Sequence, residues 1–381
     1  MTTTKRVLIT GGAGFIGSNL TRRFVEEGYR VTILDSLNPQ IHGANPSSDS
    51  PLLQSVMNIA DVMVGSVLDT GQLADAVKSQ DLVVHLAAET GTGQSMYEID
   101  RYVDANCGGT AKLLQVLSDS NSRPDKLIVA SSRSIYGEGR YFDPETGFVY
   151  PEARLEKDLE EGRFEPTSAA TDRALTLVAT TEDSLIHPTS VYGITKHNQE
   201  ALVRVVAPTV GIAPVALRYQ NVYGPGQSLS NPYTGILSIF SGLIQDGKGI
   251  NIFEDGEESR DFVYIDDVVD ATFRSAVTPE ANGQVFNVGS GVPTSVNSVV
   301  AVLQKALGKS VPVTISGNYR LGDIRHNYAD IERARNLLGF EPQVSFERGV
   351  QQFADWVQTQ RASSVHYERS LNELREKNLL K

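Results

Sequence analysis

The chain holds a single cysteine, Cys107, among its 381 residues. One thiol excludes an intrachain disulfide and any Cys-x-x-Cys metal site, and it suits a reducing compartment. Basic residues are also scarce: 34 Lys and Arg face 46 Asp and Glu, a formal net charge of −12. A protein that grips nucleic acid needs basic patches to neutralise phosphates, so that class is disfavoured. No apolar run nears the roughly 20 residues of a membrane-spanning helix. Met1 to Arg6 lead from polar residues straight into a short apolar run, with no signal-peptide core. Internal repeats and low-complexity tracts are missing as well. These absences leave an acidic protein expected in the cytoplasm, with no membrane, nucleic-acid or metal partner.

What is present is a series of short aliphatic runs: Val7 to Thr10, Val31 to Leu34, Leu82 to Leu86, Leu127 to Ala130 and Val215 to Leu217. Apolar on both faces, they read as strands inside a parallel sheet. Helical patterns lie between them, as in Asn19 to Glu27 and Thr110 to Leu117. The alternation predicts an α/β, doubly wound Rossmann-type sheet followed by a smaller mixed α/β C-terminal domain. The expected division gives 1–217 plus about 262–290 to the cofactor domain and 218–261 plus 291–360 to the substrate domain. Phe262 to Val277 has helical spacing and is expected to return to the first domain. A last helix is expected over 361–381, from the spacing of Tyr367, Leu371 and Leu374.

Ligands of such sheets sit at the carboxyl ends of the strands. Thr10 to Gly17 reads Thr-Gly-Gly-Ala-Gly-Phe-Ile-Gly between the first strand and the first helix. There Gly11, Gly14 and Gly17 allow a tight turn, and Phe15 and Ile16 open a helix whose free N–H groups suit a pyrophosphate. Asp35 ends the second strand 18 residues beyond Gly17, where a carboxylate can take ribose hydroxyls and would repel a 2′-phosphate. The cofactor expected is therefore NAD rather than NADP.

Among 14 tyrosines only Tyr192 stands four residues before a lysine, Lys196. On a helix that spacing puts both side chains on one face. Ser131 and Ser132 follow the run Leu127 to Ala130, at the mouth of the sheet. A phenol titrating near 10 is a weak base at neutral pH, and an adjacent ammonium would favour its phenolate. The expectation is that Tyr192 removes a sugar-hydroxyl proton, Ser132 shares its hydrogen bond, and Lys196 lowers the phenol and holds the nicotinamide ribose.

Together these motifs resemble the extended short-chain dehydrogenase/reductases, in the nucleotide-sugar epimerase/dehydratase branch. Further matches are His85-Leu86-Ala87-Ala88, Tyr192-Gly193-Ile194-Thr195-Lys196, Leu217 to Pro225, Ser259 to Tyr264 and Gly322 to His326. The resemblance implies that Leu86, Ala87, Ala88 and Asn106 support the cofactor, with Ser66 and Val67 on its adenine side. It implies Asn221, Arg260 and Arg325 at a nucleotide diphosphate, Gln94, Ser95 and Ser134 near the hexose, and Phe253 on the base. A homodimer is implied by resemblance alone, and His85 reads as a buried strand residue.

Within the branch, the residues after the catalytic serine discriminate. A 4,6-dehydratase resembles Thr-Asp-Glu there, whereas this chain reads Ser132-Arg133-Ser134. Without an acid pair, elimination lacks proton carriers. The reading is an NAD-dependent nucleotide-sugar 4-epimerase for a dTDP-6-deoxyhexose or a UDP-hexose. Alternatives are a decarboxylase or 4,6-dehydratase with relocated acids, and a non-catalytic NAD-binding sensor. Between Ser132 and Tyr192, residues 138–187 carry 12 acidic and 5 basic side chains. This insertion is expected to stay off the phosphate site, as a lid or subunit contact with its charges in water.

Overall fold

Aliphatic runs with no polar face are satisfied only in a sheet covered on both sides. In the computed structural model, which describes residues 4–168, 171–229, 231, 235–360, 371, 373, 375–377, 379 and 380, seven strands form such a sheet. They are β1 (Arg6–Thr10), β2 (Arg30–Asp35), β3 (Asp61–Val64), β4 (Leu82–His85), β5 (Lys126–Ser132), β6 (Ala213–Tyr219) and β7 (Val285–Val288). Their spatial order is β7-β6-β5-β4-β1-β2-β3, and every pairing is parallel. The doubly wound fold expected from the sequence is the fold observed. Strand order reverses between β1 and β4, which opens a crevice at their carboxyl ends.

Alternation along each strand assigns the two faces. Val7 and Ile9 pack on one side with Leu20 and Phe24 of helix α1 (Phe15–Glu26). Leu8 packs on the other with Leu113 and Leu117 of helix α2 (Gly109–Asp119) and Val203 of helix α3 (Val191–Val206). The first cluster continues past the sheet to Leu237, Phe240 and Phe262, so the smaller lobe shares its core. Phe262 to Val277 is not one helix. Ser259–Tyr264 is a strand of a small second sheet, and only then does helix α4 (Ile265–Val277) begin and pack on α1. Of the expected last helix, Tyr367 and Leu374 lie outside the described residues.

The insertion makes its own antiparallel sheet from Arg140–Asp143, Gly147–Val149 and Thr176–Val178. It then joins the smaller lobe through a bridge between Thr180 and Ala329.

Two glycines set the entry to α1. Gly11 adopts a left-handed φ of 72°, and its N–H bonds Leu34 O at 2.8 Å. A Cβ on Gly17 would stand 2.2 Å from Gly11 O and 2.6 Å from Gly12 Cα, both backbone atoms that cannot swing aside. The expected result of Gly17→Ala is a loss of about 1–3 kcal/mol of stability from overpacking, read as a lowered thermal midpoint. An unchanged midpoint would contradict this packing.

Candidate active site

The reversal point holds a cavity of about 1200 Å³. Gly11, Gly14, Phe15, Ile16, Gly17, Asp35, Ser66, Val67, Leu86, Ala87 and Ala88 line it, together with Ser132, Tyr192 and Lys196. Helix α1 enters through Gly14 with no side chain capping its first amides, so an anion could take them. Asp35 accepts from Ala13 N at 3.0 Å and Leu37 N at 2.9 Å, with His42 Nε2 3.6 Å away. Asn106 is the expected cofactor residue that does not reach this cavity. It is fully buried and ties the Glu89 backbone, at 2.7 and 3.1 Å, to Thr195 Oγ1 at 2.9 Å. Its work is to fix the loop after β4 against α3.

Helix α3 is capped by Ser190, whose hydroxyl accepts from Gly193 N at 3.1 Å. An ion pair that sequence reasoning missed fixes the helix to the sheet. Glu200 takes Arg218 of β6 through both oxygens, at 2.6 and 3.0 Å, and accepts from Ser131 Oγ at 2.6 Å. Both charged side chains are almost wholly buried, so the pair imposes register as well as cohesion. The only signal was an arginine inside an otherwise apolar strand and a glutamate one helical turn after Lys196. Reading it would have required knowing that this strand and helix touch.

Tyr192 and Ser132 border the same cavity, and the serine hydroxyl favours the ionised phenol. Ser134 adds a bond from its hydroxyl to Ser132 Oγ at 2.8 Å. Charge in this corner differs from the expectation. Burial pushes the Tyr192 phenol up, against the lowering pull of Ser132 and Arg133. Burial brings Lys196 down to about 7, and its Nζ bonds Gln199 Oε1 at 2.7 Å. Desolvation outweighs the pairing, so the lysine carries only part of its charge near neutral pH. His85 falls to about 3, held neutral between Thr10 and Thr110. It is a structural strand residue, as read.

A second cavity, of about 290 Å³, lies on the other side of the serine turn. It brings together Ser134, Asn221, Phe253 and Arg260 of the expected substrate residues with Thr92, Arg133, Thr189, Arg320 and Asp323, which were not foreseen. The Arg320 guanidinium stacks over Phe253, 4.8 Å from the ring centre. Gln94 and Ser95 stand behind the wall instead of in it. Gln94 bonds Gln40 and Tyr102, while Ser95 Oγ accepts from Tyr192 N at 3.0 Å.

Arg325 is the clearest departure. Expected at a diphosphate, its buried guanidinium is spent on carboxylates: Glu165 at 2.5 Å, Asp255 at 2.7 and 2.8 Å, and Glu254 at 3.0 Å. Glu138 accepts from the backbone N–H of Arg325 and of His326, each at 2.7 Å. Arg154 closes the cluster with two bonds of 2.8 Å to Glu254. Among the described residues, none of 138–187 lines the second cavity. Its charges are not all in water, however, because Glu138, Asp143 and Glu182 are buried and Arg154 is paired.

Comparison with known proteins bears on this geometry. A model of the NAD dependent epimerase/dehydratase family matches residues 7–289. A dTDP-L-rhamnose 4-epimerase of Burkholderia thailandensis is 38% identical over 358 residues, 93% of this chain and 95% of its own. A UDP-N-acetyl-alpha-D-glucosaminuronate decarboxylase of Bacillus cytotoxicus is 28% identical over 92% of this chain and 97% of its own. The crystal structure of the UDP-glucuronic acid 4-epimerase from Bacillus cereus, with UDP-glucuronic acid and NAD, superposes with a TM-score of 0.75 at 28% identity. That match covers 93% of this chain and 99% of the other.

Removing Arg325 leaves several carboxylates facing one another. Arg325→Met is expected to cost about 3–5 kcal/mol, the range for breaking a buried ion pair from one side. Limited proteolysis should then cut first within residues 138–187. Uniform resistance with an unchanged melting point would refute the hub.

Proposed function

The chain belongs to the NAD-dependent epimerase/dehydratase family, and from that premise we propose that Tyr192 is its proton-transfer group and the smaller cavity its nucleotide-sugar site. The protein is an NAD-dependent nucleotide-sugar 4-epimerase. What supports this reading most is one juxtaposition: Ser132, Tyr192 and Lys196 border the larger cavity, while the two residues after Ser132 border the smaller one.

The larger cavity fits a dinucleotide. Its volume is ample, and the close contact at Gly17 brings uncapped amides to its floor. The glycine turn and α1 would hold the pyrophosphate, Asp35 the adenosine ribose, and Lys196 the nicotinamide ribose. Bound there, NAD supplies a reversible hydride acceptor, so the net reaction is redox-neutral.

The protein's own part is to hold the sugar and move one proton. In this reading Tyr192 takes the proton of the C4 hydroxyl and later returns it, and Ser132, steadied by Ser134, orients that oxygen. Asn221 and Arg320 face the diphosphate, with Arg260 beside them, its terminal nitrogens bonded to Asp323 and to three backbone carbonyls, and Phe253 with its stacked arginine faces the base. The smaller cavity must release its grip enough for the keto sugar to present its other face. A dehydratase or decarboxylase reading is weaker, because positions 133 and 134 carry no carboxylate. Of the acids lining the smaller cavity, Glu254 and Asp323 are already paired with Arg154 and Arg260, and Glu258 lies 3.8 Å from the Arg325 guanidinium.

The substrate we favour is a dTDP-6-deoxyhexose, supported by the 38% identical relative across 93% of the chain. A UDP-hexose is the second choice. The protein also reads as a homodimer. Val103, Ile194 and Val205, on adjacent helical segments, are 41, 54 and 70% exposed, an apolar surface that a second copy would cover. A cytoplasmic site agrees with the lone, partly buried Cys107. Among the described residues no helix is long and apolar enough to cross a membrane.

Incubation with dTDP-L-rhamnose or UDP-glucose should give an isomer of unchanged mass, with no solvent deuterium at C4 in heavy water. Loss of water or carbon dioxide would overturn the reading. Tyr192→Phe should cut kcat by about 10²- to 10⁴-fold, the usual weight of acid–base catalysis, while retained NAD absorbance shows an intact crevice. Near-normal turnover would remove Tyr192 from its role.

A further inference from the structure

Arg133 follows Ser132 directly and opens the short turn Arg133–Tyr136 that leaves β5. Its Nε donates to Asn221 Oδ1 at 2.7 Å, and the side chain forms part of the smaller cavity's wall. Among the described residues, no hydrogen bond holds its two terminal nitrogens. A partly buried guanidinium with unspent N–H groups beside a sugar-sized space is unusual unless an oxygen arrives to take them.

The neighbourhood of Tyr192 makes the point sharper. On its own helix Lys196 is turned to Gln199, and burial has brought it to about 7. From the helical turn opposite, Tyr102 meets the phenol ring edge-on at 6.5 Å, and Glu89, Glu98 and Arg101 surround Tyr102 in turn. From the end of β5 come the Ser132 hydroxyl and the Arg133 charge. Arg133 itself feels Arg260, Asp323, Tyr192 and Glu138. Desolvation and the Arg260 charge bring it to about 10, so it stays protonated at neutral pH. Of the cationic side chains around the phenol, it is the one that is fully charged at neutral pH and acts directly on Tyr192.

We propose that Arg133 is a positioning residue for the proton transfer: anchored by Asn221, its fixed cation favours the Tyr192 phenolate, and its free N–H groups hold an oxygen of the bound nucleotide sugar. The inference rests on the role proposed for Tyr192. No bond to Arg133 forms or breaks. The proton of the C4 hydroxyl passes to the phenolate oxygen, and the guanidinium offsets the negative charge whenever that proton is absent.

The test uses the full chain with its bound dinucleotide and the neutral variant Arg133→Gln. Phenolate absorbance is titrated as a difference spectrum, with and without Tyr192→Phe, in the wild-type and R133Q backgrounds. Losing a nearby cation raises a phenol, so the Tyr192 midpoint should climb by roughly one pH unit. The acid limb of kcat with dTDP-L-rhamnose should move the same way, costing about tenfold at pH 7. Arg133→Lys should restore most of the shift. An unmoved midpoint in folded R133Q overturns the proposal, as does an R133K shift equal to that of R133Q. If R133Q does not fold, Arg133→Met, which keeps the aliphatic stem, carries the same titration. The titration reads Arg133 even if no nucleotide sugar is turned over, and that second failure would count against the proposed function alone.

Discussion

Burying Tyr192 and Lys196 at the carboxyl edge of a parallel sheet takes both away from the water that would hold them in their ordinary titration ranges. Burial drives the phenol up and the ammonium down, so each is pushed toward its neutral form. Positive charge brought to such a site favours the ionised phenol. The fold leaves two places from which that charge can come: the dinucleotide crevice and the turn that carries Arg133. The same burial silences His85, which packs between two threonines under the cofactor floor. Desolvation thus selects which of several titratable groups can take part in proton transfer.

Precision in such a corner depends on α3 not sliding. The Glu200–Arg218 pair and the Ser131 hydroxyl lock the helix to the sheet, and Asn106 locks it to the loop after β4. Farther out, the Arg325 hub joins the insertion to the smaller lobe through a set of carboxylates. The Glu200–Arg218 pair and the Arg325 hub each centre on a buried arginine, because a planar fork with five donors can serve several oxygens at once. The acidic insertion is therefore tied to the smaller lobe by charge.

The glycine turn, Asp35 and the Tyr–Lys pair were legible because local rules dictate them. A left-handed φ at Gly11, backbone contact at Gly17 and i, i+4 spacing are fixed by neighbours in the chain. Arg325 was misread because an arginine inside a motif announces a charge-rich contact, not which partner fills it. Its partners Glu165 and Glu254 come from segments 160 and 71 residues away. Strand β7 was not among the expected runs, since Val-Phe-Asn-Val is short and interrupted by Asn287, whose side chain is satisfied only by Tyr136, Thr180 and Asp330.

The amino-acid order by itself determined the parallel sheet, the phosphate-binding turn and the pair of residues one helical turn apart, because backbone sterics and alternating hydrophobicity act over a few positions. Only the tertiary structure decided what those residues are worth chemically. Burial sets whether a lysine is charged, and long-range pairing sets whether an arginine meets a ligand or a carboxylate. Both depend on which distant segments the folded chain lays beside them.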